Sequence, residues 1–381
     1  MTLRVGFGAT VWARGKLNHE LDGIGYYTQA LAENLDASHI DCHPLVFGNV
    51  DPALNAQPTF RRPLLTTQTY RWSVLRSALT GLSFPVAKQL QRQVDVFHAT
   101  DHHIPKLKGV PVVATVMDAI PLSHPEWGNP TLRQLKNALW RKSVQWADHV
   151  LTISEFSKSQ ITEHFGVPAE KISVIYLGVD PKYSEKIEAP VIQQCLQKFN
   201  LQRPFFLCVG TLQPRKNIER VLAAFQQLPT HLQSEFDLVI VGRNGWGVDT
   251  LVHTLQNQAP DSHIKWLGAV AEADKLALLQ AATSLIFPSL SEGFGLPLVE
   301  AFAAGTPVIA SDTTALAEIA GGSALSIDPT RTESIAQAMQ SMAESTSLQQ
   351  QLVALGEQRA RQFTWPQCAA QTADIYRQVA R

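Results

Sequence analysis

Short runs of β-branched and apolar residues alternate with helix-patterned segments along almost the whole chain, and this alternation limits the fold more than any other feature. LRVGFG, VDVFHA, VPVVATV, HVLTIS and ISVIYLG are predicted strands of the first half. FFLCVG, FDLVIVG, HIKWLG, TSLIFPS, TPVIAS and SALSID are those of the second. Many are apolar without a break, the pattern of parallel strands buried on both faces. Helices between them imply βαβ units and doubly wound sheets. A chain of 381 residues exceeds one average core, so two domains are expected. The segment GVDPKYSEKIEAPV is polar and rich in turn residues, and FFLCVG then restarts the pattern. The boundary is therefore placed at 190/191, within a seam spanning Asp180–Pro204. A second domain runs over 191–362, and 363–381 carries one more helix.

Composition narrows the function classes. The formal net charge of −1 offers no global field for nucleic acid. Cys42, Cys195, Cys208 and Cys368 form no CxxC pair, against zinc knuckles and disulfide frameworks and for a reducing, cytoplasmic setting. No run approaches the ~20 apolar residues of a spanning helix. Nine of the twelve histidines lie before residue 183, so the halves are expected to do different work.

The chemistry-bearing residues cluster after predicted strands. Gly210 and Thr211 leave one strand, and Arg215 and Lys216 follow, with Asn217 as the expected N-cap of the next helix. Two cations before a helix at a parallel sheet's C-terminal edge suit an anion; a solvated basic turn is the other reading. VIVGRNGWG repeats the theme with Gly242 and Arg243, and there an ordinary βα loop stays equally open. TSLIFPSLSEGFGLPLVEA is a strand, an exit loop and a helix whose start is expected near Leu296, because Pro297 suits a first turn. The amides of Gly293, Phe294, Gly295 and Leu296 then face the crevice of Arg215 and Lys216, with Glu292 in the loop and Glu300 a turn into the helix. Phosphates call for the amides and bases, and sugar hydroxyls call for the carboxylates. A ligand with phosphates and polyhydroxylated rings uses both sets.

With GTLQPRKN, SEGFGLPLVEA and GTPVIASDTTALAEIAGG, the chain resembles the family 4 retaining glycosyltransferases over nearly its whole length. The resemblance implies the GT-B fold, two Rossmann-like α/β domains facing across a cleft, with the last helix crossing back to the first domain. It implies that Arg215 and Lys216 bind the donor diphosphate, Glu292 stands by the donor sugar, and Glu300 holds the ribose. Gly23 and Gly25 of DGIGYYTQAL match the family's glycine loop. Asp118 matches a catalytic-site acid, but Met117 stands where members often have histidine. FHATDHHIP offers His98, Asp101, His102 and His103 nearby, with His102 and His103 as acceptor-side candidates; each is also readable as a structural histidine. GRNGWG resembles turns of mannosyl-transferring members and implies GDP-mannose, with UDP- and dTDP-sugars open.

The resemblance implies a retaining hexosyl transfer from a nucleotide sugar to a saccharide or polyprenyl-diphosphate-linked acceptor in surface polysaccharide assembly, with no cofactor and no metal. The alternatives weighed are a non-catalytic nucleotide-sugar-binding protein of the same fold and a dinucleotide dehydrogenase. The second is disfavoured because GFGATV lacks the third glycine and a ribose acid. Residues 52–94 and 127–147 contain no acid, yet carry Arg71, Arg76, Lys136 and Arg141 among Trp72, Leu79, Leu82, Phe84, Trp140 and Trp146. Such stretches suit either an anionic membrane surface or helices packed on the first domain. A peripheral position on the inner face of the plasma membrane is expected on the first reading.

Overall fold

The computed structural model describes residues 2–18, 20–127, 131–259 and 261–380. The chain divides into two compact units, 1–178 with 364–381, and 179–363.

In the first unit the strands are β1 (Leu3–Gly8), β2 (Ile40–Phe47), β3 (Leu65–Thr67), β4 (Val96–Ala99), β5 (Val112–Thr115), β6 (His149–Thr152) and β7 (Ile172–Val174). They form one sheet in the order β3-β2-β1-β4-β5-β6-β7, every pairing parallel. β4 and β5 are buried at each position, as strands covered on both faces must be. The chain winds outward from β1 to β3, then returns to lay β4 on the other side of β1. That reversal is the topological switch point, the place where open parallel sheets bind ligands.

The second unit repeats the plan with β8 (Phe205–Val209), β9 (Asp237–Val241), β10 (Ile264–Gly268), β11 (Ser284–Phe287), β12 (Val308–Ser311) and β13 (Leu325–Ile327). The order is β10-β9-β8-β11-β12-β13, again parallel throughout. Its reversal lies between β8 and β11. Each unit has its own apolar core, around Phe97, Val112 and Ile161 in the first and Phe206, Leu238 and Ile286 in the second.

The break between units falls at 178/179, earlier than the seam's polarity suggests. Residues 179–190 are tied into the second unit. Tyr183 is 1% exposed, and the Ile187 amide donates to Gln280 Oε1 at 2.9 Å. The polar residues of this segment thus serve as anchors. The terminal helix Trp365–Val379 belongs to the first unit and packs on the helix Gly23–Leu35. Tyr376 Oη lies 2.6 Å from His98 Nδ1, and Thr115 Oγ1 lies 2.7 Å from His98 Nε2. Burial pulls the His98 pKa down to about 3. His98 is therefore a neutral structural histidine that pins the terminal helix to β4 and β5.

Candidate active site

The geometry starts from glycine. After β8, Gly210 takes φ +143°, and after β9, Gly242 takes φ +151°. A Cβ on Gly242 would lie 1.8 Å from the Gly210 carbonyl oxygen. Bare backbone is required there, because the two exit loops run against each other: Leu212 N donates to Arg243 O at 3.0 Å. The glycines of GRNGWG serve this contact, and Arg243 itself is exposed. The paired loops set the path of the turn Pro214–Lys216 and the helix Ile218–Gln226 behind it. Asn217 heads that helix at φ +61°, but its side chain does not cap it. Its amide instead donates to Pro288 O at 3.1 Å and Pro329 O at 2.7 Å, stitching the turn to the loop after β11.

That loop carries Glu292, 7% exposed. Lys216 Nζ donates to Glu292 Oε1 at 2.5 Å, and Arg215 Nη1 stands 2.7 Å from Oε2. Arg215 also bonds Ser291 O and Gln213 Oε1, each at 3.1 Å. The Lys216 ammonium lies 4.7 Å from the centre of the Phe287 ring. Burial alone would raise the Glu292 pKa; Lys216 and Arg215 outweigh it and hold the carboxyl at about 2. Burial lowers the Lys216 pKa and Arg215 adds to that, against the pull of Glu292. Two cations share one carboxylate, so the group retains a positive charge at the sheet's reversal point.

The helix Leu296–Ala303 starts where Pro297 implied. Gly295, at φ +102°, precedes it, and a Cβ there would come within 2.5 Å of Leu316. Leu298 and Val299 donate back to Gly295 O, Pro297 has no N–H, and no described group accepts from the Leu296 amide. Phe294 is in the core, edge-on to Phe363 with ring centres 5.6 Å apart.

Glu300 belongs to a second network. Lys275 Nζ lies 3.2 Å from both its oxygens and 3.2 Å from Glu272 Oε1. Tyr183 Oη donates to Glu272, and the Lys275 ammonium sits 5.0 Å from the Tyr183 ring centre. Burial raises the Glu300 pKa, and Glu272 adds to this against Lys275. Lys275 and Tyr183 did not stand out in the sequence. The Glu272-x-x-Lys275 spacing was a faint signal for one, while the tyrosine lay in what read as linker.

In the first unit, Asp22 caps the helix Gly23–Leu35 by accepting from the Gly25 amide at 2.8 Å, so that amide already has a partner. A Cβ on Gly23 would meet nothing within 4 Å. Asp118 is half-buried and accepts from the Ile120 amide at 3.0 Å. The loop after β4 brings Asp101, His102 and His103 together, with a possible ligand atom from each within 4.8 Å of the others. This is the metal-capable group found among the described residues. Both Asp101 oxygens already accept protein hydrogen bonds, from His103 N at 2.6 Å and Val11 N at 3.2 Å.

Comparison with known proteins decides the family. Residues 196–359 match the model "Glycosyl transferases group 1", and residues 21–183 match "Glycosyltransferase Family 4". Between them they span most of both units. The chain belongs to the family 4 glycosyltransferases. The glycosyltransferase is 29% identical over 397 residues to the O-antigen chain mannosyltransferase B of Escherichia coli, covering 96% of this chain and 99% of the relative. It is 32% identical over 235 residues to the O-antigen chain mannosyltransferase RfbU of Salmonella typhimurium, covering 60% of each. Its fold matches the crystal structure of Anabaena HepE in complex with UDP and glucose, with TM-score 0.74, 19% identity, and coverage of 99% and 100%. The expected GT-B class, with two parallel-sheet α/β domains, is thus the class of this hexosyltransferase. The matched regions include Arg215, Lys216, Glu292 and Glu300 in one unit, and Gly23, Gly25, His102, His103 and Asp118 in the other.

Proposed function

We propose that this glycosyltransferase moves mannose from GDP-mannose, with retention of configuration, to a saccharide or lipid-linked saccharide of a surface polysaccharide. The observation that carries the reading is the half-buried Arg215 and Lys216 paired with the buried Glu292 at the reversal point of the second sheet. Its residual positive charge suits a nucleoside diphosphate. The near full-length match to an O-antigen chain mannosyltransferase supports the sugar and the acceptor class, and UDP in the HepE structure keeps UDP-sugars as the competing donors.

In this reading Arg215, Lys216 and the Leu296 amide receive the diphosphate, with Gly210, Thr211 and Arg243 along the same edge. Glu292 turns a carboxylate oxygen to the donor sugar, and Glu300 accepts from the ribose hydroxyls. The bond from C1 to the β-phosphate oxygen breaks as the acceptor oxygen bonds C1 on the same face. The acceptor proton passes to the departing phosphate oxygen. Charge growing on that phosphate is what the two cations stabilise. No step calls for a metal ion, and chelator treatment is expected to leave the rate unchanged.

A thermal-shift screen of GDP-mannose against UDP- and dTDP-sugars tests the donor, since the ligand that binds the folded state raises the melting point. Lys216→Ala is expected to lower kcat by about a hundred- to a thousandfold with the fold intact. A larger shift with a uridine or thymidine nucleotide, or near-normal turnover of the variant, rejects the corresponding part. The anomeric configuration of the first product, followed by NMR, checks retention.

The reading includes a peripheral position on an anionic membrane. Among the described residues no helix is long and apolar enough to cross a bilayer. The helices Tyr70–Thr80 and Arg133–Val144 pack together on the first unit. Trp72 and Leu79 are 73% and 79% exposed, and Leu82, Leu132 and Leu135 are also outside, beside Arg71, Arg76 and Lys136. An apolar tip among bases suits anionic lipid. Phe84, expected on that face, is instead core, and Trp140 and Trp146 pack against the same core. Flotation with liposomes containing anionic lipid is expected to carry the protein upward. Absence of binding at low salt counts against the docking face.

A further inference from the structure

A second arrangement stands at the reversal point of the first unit's sheet. Thr100 Oγ1, just past β4, donates to Gly8 O at 2.7 Å. Asp101, 4% exposed, accepts from the Val11 amide at 3.2 Å. These two bonds fix the β4 exit against the β1 exit. The other Asp101 oxygen accepts from the His103 amide at 2.6 Å and lies 2.7 Å from His103 Nδ1. Burial works against ionisation of Asp101, but His103, His102 and the backbone amide hold its pKa well below the ordinary range. With Nδ1–H donating to this carboxylate, the neutral tautomer of the ring carries its lone pair on Nε2.

The ring cannot turn freely. Tyr70 meets it edge-on at 4.8 Å, and Phe47 stacks at 6.2 Å. Nδ1 and the ring faces account for everything the fold asks of His103. Nε2 has no bonding partner among the described residues. Arg14 and Asp22 lie close enough to act on the charge of His102. A fixed lone pair needs a ligand that brings a proton. A phosphate diester brings none, whereas a sugar hydroxyl does.

We propose that His103 Nε2 accepts a hydrogen bond from a hydroxyl of the acceptor saccharide, in a tautomer set by Asp101, which puts an acceptor contact at the β1/β4 reversal point. This deepens the transferase reading and rests on it. His103 positions the acceptor and takes no proton in the transfer.

The test measures two reactions with GDP-mannose: transfer to a mannose-terminated oligosaccharide, and hydrolysis of the donor with water in the acceptor's place. His103→Ala is expected to raise the acceptor KM about tenfold and to leave donor KM and donor hydrolysis unchanged. His103→Gln, whose amide reaches the Nε2 position, is expected to stay within about threefold of the parent. His103→Asn, whose amide replaces Nδ1 instead, is expected to behave as the alanine variant. Rescue by Asn and not by Gln makes the role structural and overturns the proposal, as does an unchanged acceptor KM in His103→Ala. If the parent protein hydrolyses no donor and transfers no mannose, the transferase reading falls and the proposal with it. That failure is distinct because it appears before any substitution.

Discussion

The two glutamates that bracket SEGFGLPLVEA have opposite electrostatics, and the difference bears on what each is for. Glu292 is held at about 2, below its ordinary value of 4.5, because Lys216 and Arg215 outweigh its burial. A depressed carboxyl contributes stability above its unfolded pKa and loses it as pH falls through the folded one. The contribution of Glu292 is therefore full above about pH 4.5 and drains away toward pH 2. Glu300 is shifted up, first by burial. Its site favours the neutral acid, so the ionised form at neutral pH costs stability, and the cost is relieved as pH falls. Glu292→Gln should lower the melting temperature at pH 7 and flatten the acid limb of the stability curve. Glu300→Gln should hold or raise the melting temperature at pH 7 while weakening nucleotide binding. Thermal melts from pH 3 to pH 8 check both, and equal losses in the two variants at pH 7 would refute the contrast. A carboxylate kept where the fold prefers a neutral group is what a ligand-binding role predicts.

At the scale of elements, what positions the bases is the backbone contact between the β8 and β9 exits. Gly242→Ala is expected to lose about 3 kcal/mol, because a Cβ 1.8 Å from the Gly210 carbonyl forces the loops apart. Activity should fall by more than stability explains, since the Gly210–Lys216 loop moves with it; a variant with parental melting and rate would show that the loops tolerate separation. These elements also show how far the sequence could be read. All eleven predicted runs became strands, because burial on both faces leaves most of them an unmistakable composition. β2 and β3 escaped notice. Asp41, His43 and Pro44 interrupt the first, which keeps polar partners such as Arg62 at 2.7 Å from Asp41, and the second is a three-residue edge. The Arg215, Lys216 and Glu292 types were legible, since their spacing from strand ends places them at one sheet edge. Their direct contact was not, and neither was Lys275 beside Glu300. Both depend on side chains meeting from segments far apart in sequence, which no local pattern encodes.

For the whole molecule, chain order and core membership diverge at the C-terminus. The helix Trp365–Val379 follows the second unit in sequence, yet its buried Trp365, Cys368, Ala369, Ala373 and Tyr376 complete the first. Trp365 packs its ring 5.8 Å from Tyr26 and 6.3 Å from Tyr27, and Arg377 donates to Ser38 O at 2.7 Å. Removing 364–381 would uncover the apolar side of the helix Gly23–Leu35 and leave His98 Nδ1 buried without its tyrosine. An orphaned buried polar atom costs about 1–3 kcal/mol, and each large side chain withdrawn from a core about 3–5 more. These losses are comparable to the whole stability that a folded domain holds, about 5–15 kcal/mol. The truncated protein should therefore lose amide-exchange protection across residues 23–35 and 96–115, while 205–209 and 284–303 keep theirs. It should also retain nucleotide binding, since Arg215, Lys216 and Glu292 stand in the unit left whole, but lose transfer. Hydrogen-exchange mass spectrometry with and without GDP reads both outcomes at once. Protection lost first in the second unit, or lost evenly, would mean that the helix supports the unit it follows in sequence, contrary to the contacts made by Tyr376 and Trp365.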